Sequence, residues 1–486
     1  MQFRLTAEES WDFARLSGDF NPLHVDPVAA RRLQFGGTIC HGIHQMLKAL
    51  DLALNASSML PAGIESLSTV FTASLRTDQL AEVRVISDAD ASRLRVVAST
   101  NGQQLFSVRL MLADAFELVT PTRDSEPELP AAPKCLSFPA RDEVHAVTGS
   151  VPVQLNRPLA GKLFPALATT EQGLLLVADL LATTRIIGME FPGLHSIYSE
   201  LKLHRRHARD QAPGRESPER TTMDFVQQHC DSRFRSVRVG VVGVCLEGTL
   251  NAFFRAPPVS QVRLDELMSV VSAERFVGQR ALVVGGSRGL GEMAAKILIA
   301  GGAQVTLTFA KGKADAELLQ QEAAMLGRNV QILQLDVNVR PPDPVRARLA
   351  GAGFTHLYYF ATPQIAKCPD GSWSRGLFDD FCKFYVHAFV DLVRIISLRD
   401  LKSSPLAVLY PSTVFLDEPP KGFAEYCAAK AAGESVCECF AKEHHIQIAK
   451  PRLPRLQTDQ NNGFLGAVGE APMPLLLTLL QTLHPA

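Results

Sequence analysis

From Arg280 onward, short apolar runs alternate with helix-length segments, and no other feature constrains the fold of this chain more tightly. Ala281-Leu-Val-Val reads as a buried strand running straight into Gly285-Gly-Ser-Arg-Gly-Leu-Gly291 and a helix. A strand at Gln304-Val-Thr-Leu-Thr-Phe309, a helix over 313–326 and a strand at Val330-Gln-Ile-Leu-Gln-Leu335, closed by Asp336, follow in turn. Such a βαβ series predicts a parallel, doubly wound α/β sheet. The glycines fall at the first strand-to-helix turn, where backbone can approach a pyrophosphate at a helix N-terminus.

The chain has 486 residues, too many for one core, so two to four domains are expected. Residues 118–136 include Pro-Thr-Arg-Asp-Ser-Glu-Pro-Glu-Leu-Pro-Ala-Ala-Pro, too rich in proline and charge to form a core, and read as a linker. A second junction lies at Arg255-Ala-Pro-Pro-Val-Ser260, which leaves pieces at about 1–117, 137–256 and 278–486. Net charge is −1, with no basic field to attract nucleic acid. The N-terminus has no apolar h-region, and runs such as Arg238 to Leu246 suit buried strands, so neither secretion nor membrane insertion is expected. Nine scattered cysteines, with Cys437 and Cys439 close together but no second pair, read as reduced thiols in a cytoplasmic protein without a metal site.

Residues 17 to 24 read Ser-Gly-Asp-Phe-Asn-Pro-Leu-His. Pro22 fixes φ, and the Asp and Asn side chains bond nearby backbone, so the loop is stiff enough to hold Asp19 beside His24. With Phe35-Gly-Gly-Thr-Ile-Cys-His-Gly42 after it, the segment resembles the MaoC-like (R)-specific enoyl-thioester hydratases, which have a hot-dog fold. The resemblance implies that Asp19 and His24 manage one water, adding it to C3 of an enoyl thioester and a proton to C2, or the reverse. It also implies that the Gly42 N–H, at a helix start, receives the thioester carbonyl.

The first two pieces share a pattern. Long apolar helices at Gly42–Leu54 and Gly173–Ile187 are each followed by a Pro/Gly turn and a strand-like stretch, beginning at Ile64 and at Leu194. Longer strands follow at Leu80–Ile86 and Ser236–Leu246. This predicts an α+β double hot-dog whose second copy, lacking Asp-x-Asn-Pro-x-His, is non-catalytic. The charged stretch between Lys202 and Arg220 reads as a solvated loop, or as a contact for CoA phosphates or an acidic carrier protein.

In the third piece, Val408-Leu-Tyr-Pro-Ser412 ends a strand, and Tyr426-Cys-Ala-Ala-Lys430 puts Tyr and Lys on one helical face. A neighbouring ammonium would lower the phenol pKa. With the glycine loop, this order resembles the short-chain dehydrogenase/reductases, a Rossmann-type family. The resemblance implies Tyr426 as acid/base, Lys430 as its partner and a ribose contact, and Ser412 as donor to the substrate oxygen. It places a nicotinamide cofactor on Gly285, Ser287, Arg288, Gly289, Leu290, Gly291, Asp336 and Thr458. No acid ends the second strand, whereas Arg288 and Lys311 could meet a 2′-phosphate, so NADPH is the expected cofactor. Phe360-Ala-Thr, His387 and Pro454-Arg455 depart from the family's usual Asn-Ala-Gly, relay Asn and Pro-Gly. The chain also leaves little room for that family's last strand and lid.

Joined, the two chemistries describe a β-ketoacyl-thioester reductase feeding a 3-hydroxyacyl-thioester dehydratase. The alternatives are hydration followed by NAD-linked oxidation, or a dehydratase fused to a degenerate NADP-binding module. The expected partner is an acyl thioester of CoA or acyl-carrier protein, and a homodimer is compatible with either fold.

Overall fold

In the computed structural model the glycine-led helix Gly42–Ser57 is the axis of the first unit. The structure describes all residues except 58–62, 88–92, 114–130, 137–146, 207–220, 366, 369–370, 372, 398–405, 444–445, 464–465 and 485–486. The chain divides into two units, Met1–Pro257 and Pro258–Ala486.

The first unit opens with β1 (Gln2–Arg4), α1 (Ala7–Ser17), α2 (Pro22–Val25), α3 (Pro27–Ala30) and α4 (Gly42–Ser57). Strands β2 (Gly63–Phe71), β3 (Leu80–Ser87), β4 (Arg93–Thr100) and β5 (Gln103–Ala113) follow. The second half repeats the plan with β6 (Thr148–Pro152), α5 (Arg157–Leu163), α6 (Glu171–Arg185), β7 (Ser196–Arg205), β8 (Thr222–Asp231), β9 (Ser236–Val242) and β10 (Leu246–Phe254). Among the described residues these strands form one sheet ordered β1-β3-β4-β5-β2-β7-β10-β9-β8-β6, two five-strand halves of matching order. They join where β2 pairs antiparallel with β7, Thr69 opposite Leu201. In β4, Leu94, Val96 and Ala98 are buried while Arg93 and Arg95 point out, the alternation of a sheet covered on one face. The covering layer is α4 and α6, whose Ile43, Met46, Leu47, Leu174, Val177 and Leu181 enter one core cluster. The first two expected pieces are therefore one unit with a shared sheet and core.

Three details differ from the sequence reading. The single strand expected over Ser236–Leu246 is a hairpin of β9 and β10, because the buried Asp179 carboxylate accepts from the N–H groups of Val244 (3.1 Å), Cys245 (2.9 Å) and Leu246 (2.8 Å) and caps a turn hidden in an apolar run. Part of the expected linker is structured: Lys134 N–H donates to Met189 O at 2.8 Å, and Leu194 N–H to Lys134 O at 2.9 Å. Its residues 118–130, and most of the charged loop (207–220), lie outside the described residues. Finally, Glu171–Glu190 is long and apolar enough to cross a membrane by length and composition, yet 89% of its apolar window is buried inside the unit.

The second unit starts at Pro258, earlier than residue 278, because α7 (Leu264–Val270) brings Leu264 and Leu267 into its core. After it come β11 (Arg280–Val284), α8 (Gly289–Ala300), β12 (Gln304–Phe309), α9 (Lys313–Met325), β13 (Val330–Gln334), α10 (Asp343–Gly351) and β14 (His356–Tyr359). Next are α11 (Arg375–Cys382), α12 (Ala388–Ser397), β15 (Ala407–Leu409), α13 (Ala424–Glu443) and an edge strand, Gln447–Ala449. The sheet runs β13-β12-β11-β14-β15-edge strand, parallel at every pair. Separate apolar clusters cover its two faces. Strand order reverses between β11 and β14, and in such sheets ligands bind at that switch point.

Candidate active sites

In the first unit, α1 ends at Gly18, whose φ of 73° turns the chain left-handed into Asp19. Asn21 then caps α2, accepting from Leu23 N–H at 3.2 Å, with Pro22 at the first helical position. Asn21 Nδ2 reaches across to the second half and donates to the carbonyls of Gly188 (3.1 Å) and Leu194 (3.3 Å). The Asp19 carboxylate is buried; one oxygen accepts from Asn21 N–H at 3.2 Å and the other from the Thr184 hydroxyl at 2.8 Å. Burial outweighs these bonds and the nearby His24, and raises the carboxyl pKa.

His24 Nδ1 lies 2.8 Å from Ile39 O. A carbonyl only accepts, so the proton sits on Nδ1 and leaves the Nε2 lone pair free. Burial lowers the imidazole pKa and keeps it neutral. The His41 ring stacks on His24 with centroids 3.8 Å apart, and His41 Nε2 donates to Asp19 O at 3.0 Å. Ligand-type atoms of Asp19, His24 and His41 lie within 4.8 Å of one another. Gly42 opens α4, so its N–H has no acceptor within the helix. A Cβ at Gly42 would stand 3.1 Å from the Phe71 ring, so glycine keeps this approach open.

The structure thus brings together Asp19, His24 and the Gly42 helix start and adds residues the sequence reading passed over. Thr184 and Gly188 come from the half without a motif, and any side chain at Gly188 would collide with the Asp19 carboxylate. The available signal was a polar Thr183-Thr184 pair at the end of a mostly apolar helix.

In the second unit, the loop after β11 is tied to β12: Gly285 N–H donates to the Thr308 hydroxyl at 3.1 Å and Gly286 N–H to Thr308 O at 3.0 Å. A side chain at Gly291 would collide with the Gly285 carbonyl. Gly289 (φ 61°) has no atom within 4 Å of a would-be Cβ, which leaves open space at the start of α8. Arg288, before that helix, makes no side-chain cap. Ser287 is buried beside this turn, with Leu290 in the first turn of the helix. Lys311 is exposed just past β12, and Asp336, past β13, accepts from Asn338 N–H at 3.0 Å. Thr458 is buried, its carbonyl accepting from Asn461 N–H at 3.0 Å. Free helix-start N–H groups, glycine clearance and a nearby cation fit a dinucleotide phosphate.

Tyr426 and Lys430 do share a face of α13, but their surroundings differ from expectation. The hydroxyl bonded to Tyr426 is that of Thr413. Ser412 instead donates to Glu434 at 2.5 Å, and Arg452 grips Glu434 through bonds of 3.0 and 2.9 Å. Lys430 Nζ donates to Pro411 O at 2.7 Å and sits 3.9 Å over the Tyr385 ring. Burial lowers Lys430 to about 7 and raises Tyr426 to about 12, so the expected lowering of the phenol is absent. His387 is exposed within the wider helical turn Lys383–His387, and Tyr385 is the residue that points inward, its hydroxyl 2.5 Å from that of Thr362.

Among curated proteins none matches the chain. Solved structures similar to it include an oxidoreductase, yciK, from E. coli (18% identity, 44% of this chain and 91% of that one, TM-score 0.40). A short-chain dehydrogenase from Burkholderia cenocepacia in complex with NADP is 23% identical over 43% of this chain and 92% of that one, TM-score 0.38. Acetoin dehydrogenase from Enterobacter cloacae is 18% identical over 43% and 89%, TM-score 0.38. Residues 2–102 match the family model described as MaoC like domain, and this part of the chain, with Asp19, His24 and Gly42 inside it, is a MaoC-like domain.

Proposed function

We propose that the first unit is a double hot-dog that adds water to, or removes it from, an acyl thioester. The observation that carries this reading is a neutral His24, its proton fixed on Nδ1, beside the buried carboxyl of Asp19. In hydration, His24 Nε2 takes a proton from water as the oxygen bonds to C3, and Asp19, whose burial favours the protonated form, serves as the acid that gives a proton to C2. The Gly42 N–H receives the charge that develops on the thioester oxygen. Proton return from His24 to Asp19 resets the pair, and dehydration follows the same path backwards. The second half serves this site without a catalytic motif, through Thr184 and Gly188.

The second unit, on this reading, reduces a 3-oxoacyl thioester. The Gly285–Gly291 loop would hold the cofactor phosphates, Arg288 and Lys311 the 2′-phosphate, and Asp336 the adenine. NADPH, when bound, supplies the hydride. Tyr426, with Thr413, would protonate the forming alkoxide, which the first unit could then dehydrate. Parallel assays of crotonyl-CoA hydration and acetoacetyl-thioester reduction with each nicotinamide test the pairing. Reduction with NADPH is expected; NAD-linked oxidation without NADPH-linked reduction would reverse the direction.

One observation favours a second reading, an NADP-binding module without turnover. Tyr426 is 6% exposed and packed among the rings of Phe381, Tyr385 and Phe415. Under the first reading Tyr426→Phe abolishes a measurable reduction. Under the second, wild type and variant are equally inactive while both bind NADPH.

A further inference from the structure

Arg255, just past β10, is 2% exposed. Its Nη2 donates to Leu194 O at 2.7 Å, the same carbonyl that accepts from Asn21 Nδ2 at 3.3 Å. The guanidinium is therefore one shared carbonyl away from the loop that carries Asp19 and His24. Its Nε and Nη1 are buried and have no hydrogen-bond partner, and neither does Nδ1 of the adjoining His195. The backbone joins them, Arg255 N–H donating to His195 O at 2.8 Å. The acid of the neighbouring turn, Glu190, pairs with Lys134. Among the described residues no carboxylate bonds to Arg255.

A guanidinium stays charged, and a buried one with two unpartnered nitrogens is costly unless something completes its shell. Its planar fork matches a carboxylate in two parallel bonds. We propose that Arg255, with His195 beside it, receives a carboxylate on the acyl group, so that the preferred substrate is the thioester of a dicarboxylic acid. This rests on reading the Asp19/His24 site as an acyl-thioester hydratase or dehydratase. A carrier phosphate lies at the far end of the thioester arm, whereas Arg255 shares its carbonyl with the catalytic loop. The positive charge of Arg255 also reaches His24, where it works against protonation of the imidazole.

Binding to the full-length protein tests this without turnover. Succinyl-CoA should bind roughly ten- to a hundredfold tighter than butyryl-CoA by titration calorimetry. Arg255→Met should remove most of that preference and Arg255→Lys part of it. Equal affinity of the two thioesters in the wild type overturns the proposal. So does an Arg255→Lys variant that loses free CoA and both thioesters equally, since the anion would then be a carrier phosphate. In kinetics, the ratio of kcat/KM for 3-carboxyacryloyl-CoA over crotonyl-CoA should fall by a similar factor in Arg255→Met. Crotonyl-CoA hydration by the wild type without a carboxylate preference sinks this inference alone. Hydration of neither enoyl thioester sinks the reading beneath it.

Discussion

At the scale of single residues, the first unit's candidate site is an imidazole oriented by Ile39 of its own half and a carboxyl bonded by Asn21 of that half and by Thr184 of the half that carries no motif. Asp19 and His24 were legible because their loop is local: turn chemistry, a proline and a cap fix both within six positions. Thr184 was not, since it arrives from 165 residues away. Its hydroxyl bond lowers the Asp19 pKa against the rise due to burial. Thr184→Val should therefore move the Asp19 limb of the kcat/KM profile to higher pH by up to about one unit, with Thr184→Ser restoring it. Gly188→Ala, which drives a methyl into the carboxylate, should lower kcat by about a hundredfold. Ser412 against Thr413 shows a different limit. Neighbours on extended backbone face opposite ways, and spacing alone could not say which hydroxyl meets Tyr426.

At the scale of elements, the alternating runs after Arg280 announced the parallel sheet, because strands buried on both faces leave an unbroken apolar signature. The β9–β10 hairpin was invisible for the converse reason: its turn is apolar, and the polar group that stabilises it sits on α6. Asp179→Ala would leave three backbone N–H groups without their acceptor. A loss of roughly 3–5 kcal/mol in unfolding free energy is expected, read by urea denaturation. A loss under about 1 kcal/mol would mean that the hairpin holds its own turn. The α7 segment escaped the sequence reading because seven residues carry too little periodicity, although Leu264 and Leu267 are fully buried.

At the scale of the whole molecule, the two units should respond to different conditions. His24, His41 and His44 are all held below the ordinary imidazole value by burial. Below about pH 6.5 the unfolded chain therefore binds protons that the folded one refuses, and stability falls as pH falls. Asp19, raised by burial, acts in the opposite sense. His195 adds a fourth lowered imidazole, while Asp51 and Asp179 are raised by burial like Asp19. Four imidazoles against three carboxyls leave about one net proton, so the first unit should lose at most about 1.4 kcal/mol per pH unit below pH 6.5. Calorimetric scans between pH 7 and 5 read this directly. NADPH at a hundred times its Kd should stabilise the second unit by about 2.7 kcal/mol. The most direct test of the central claim is the rate of crotonyl-CoA hydration by the wild type, Asp19→Asn and His24→Ala, each checked for NADPH binding. A wild-type rate that falls at least about a thousandfold in both variants, with NADPH binding intact, is the expected result. Undiminished hydration in either variant, or hydration of neither crotonyl-CoA nor 3-carboxyacryloyl-CoA by the folded wild type, would contradict it.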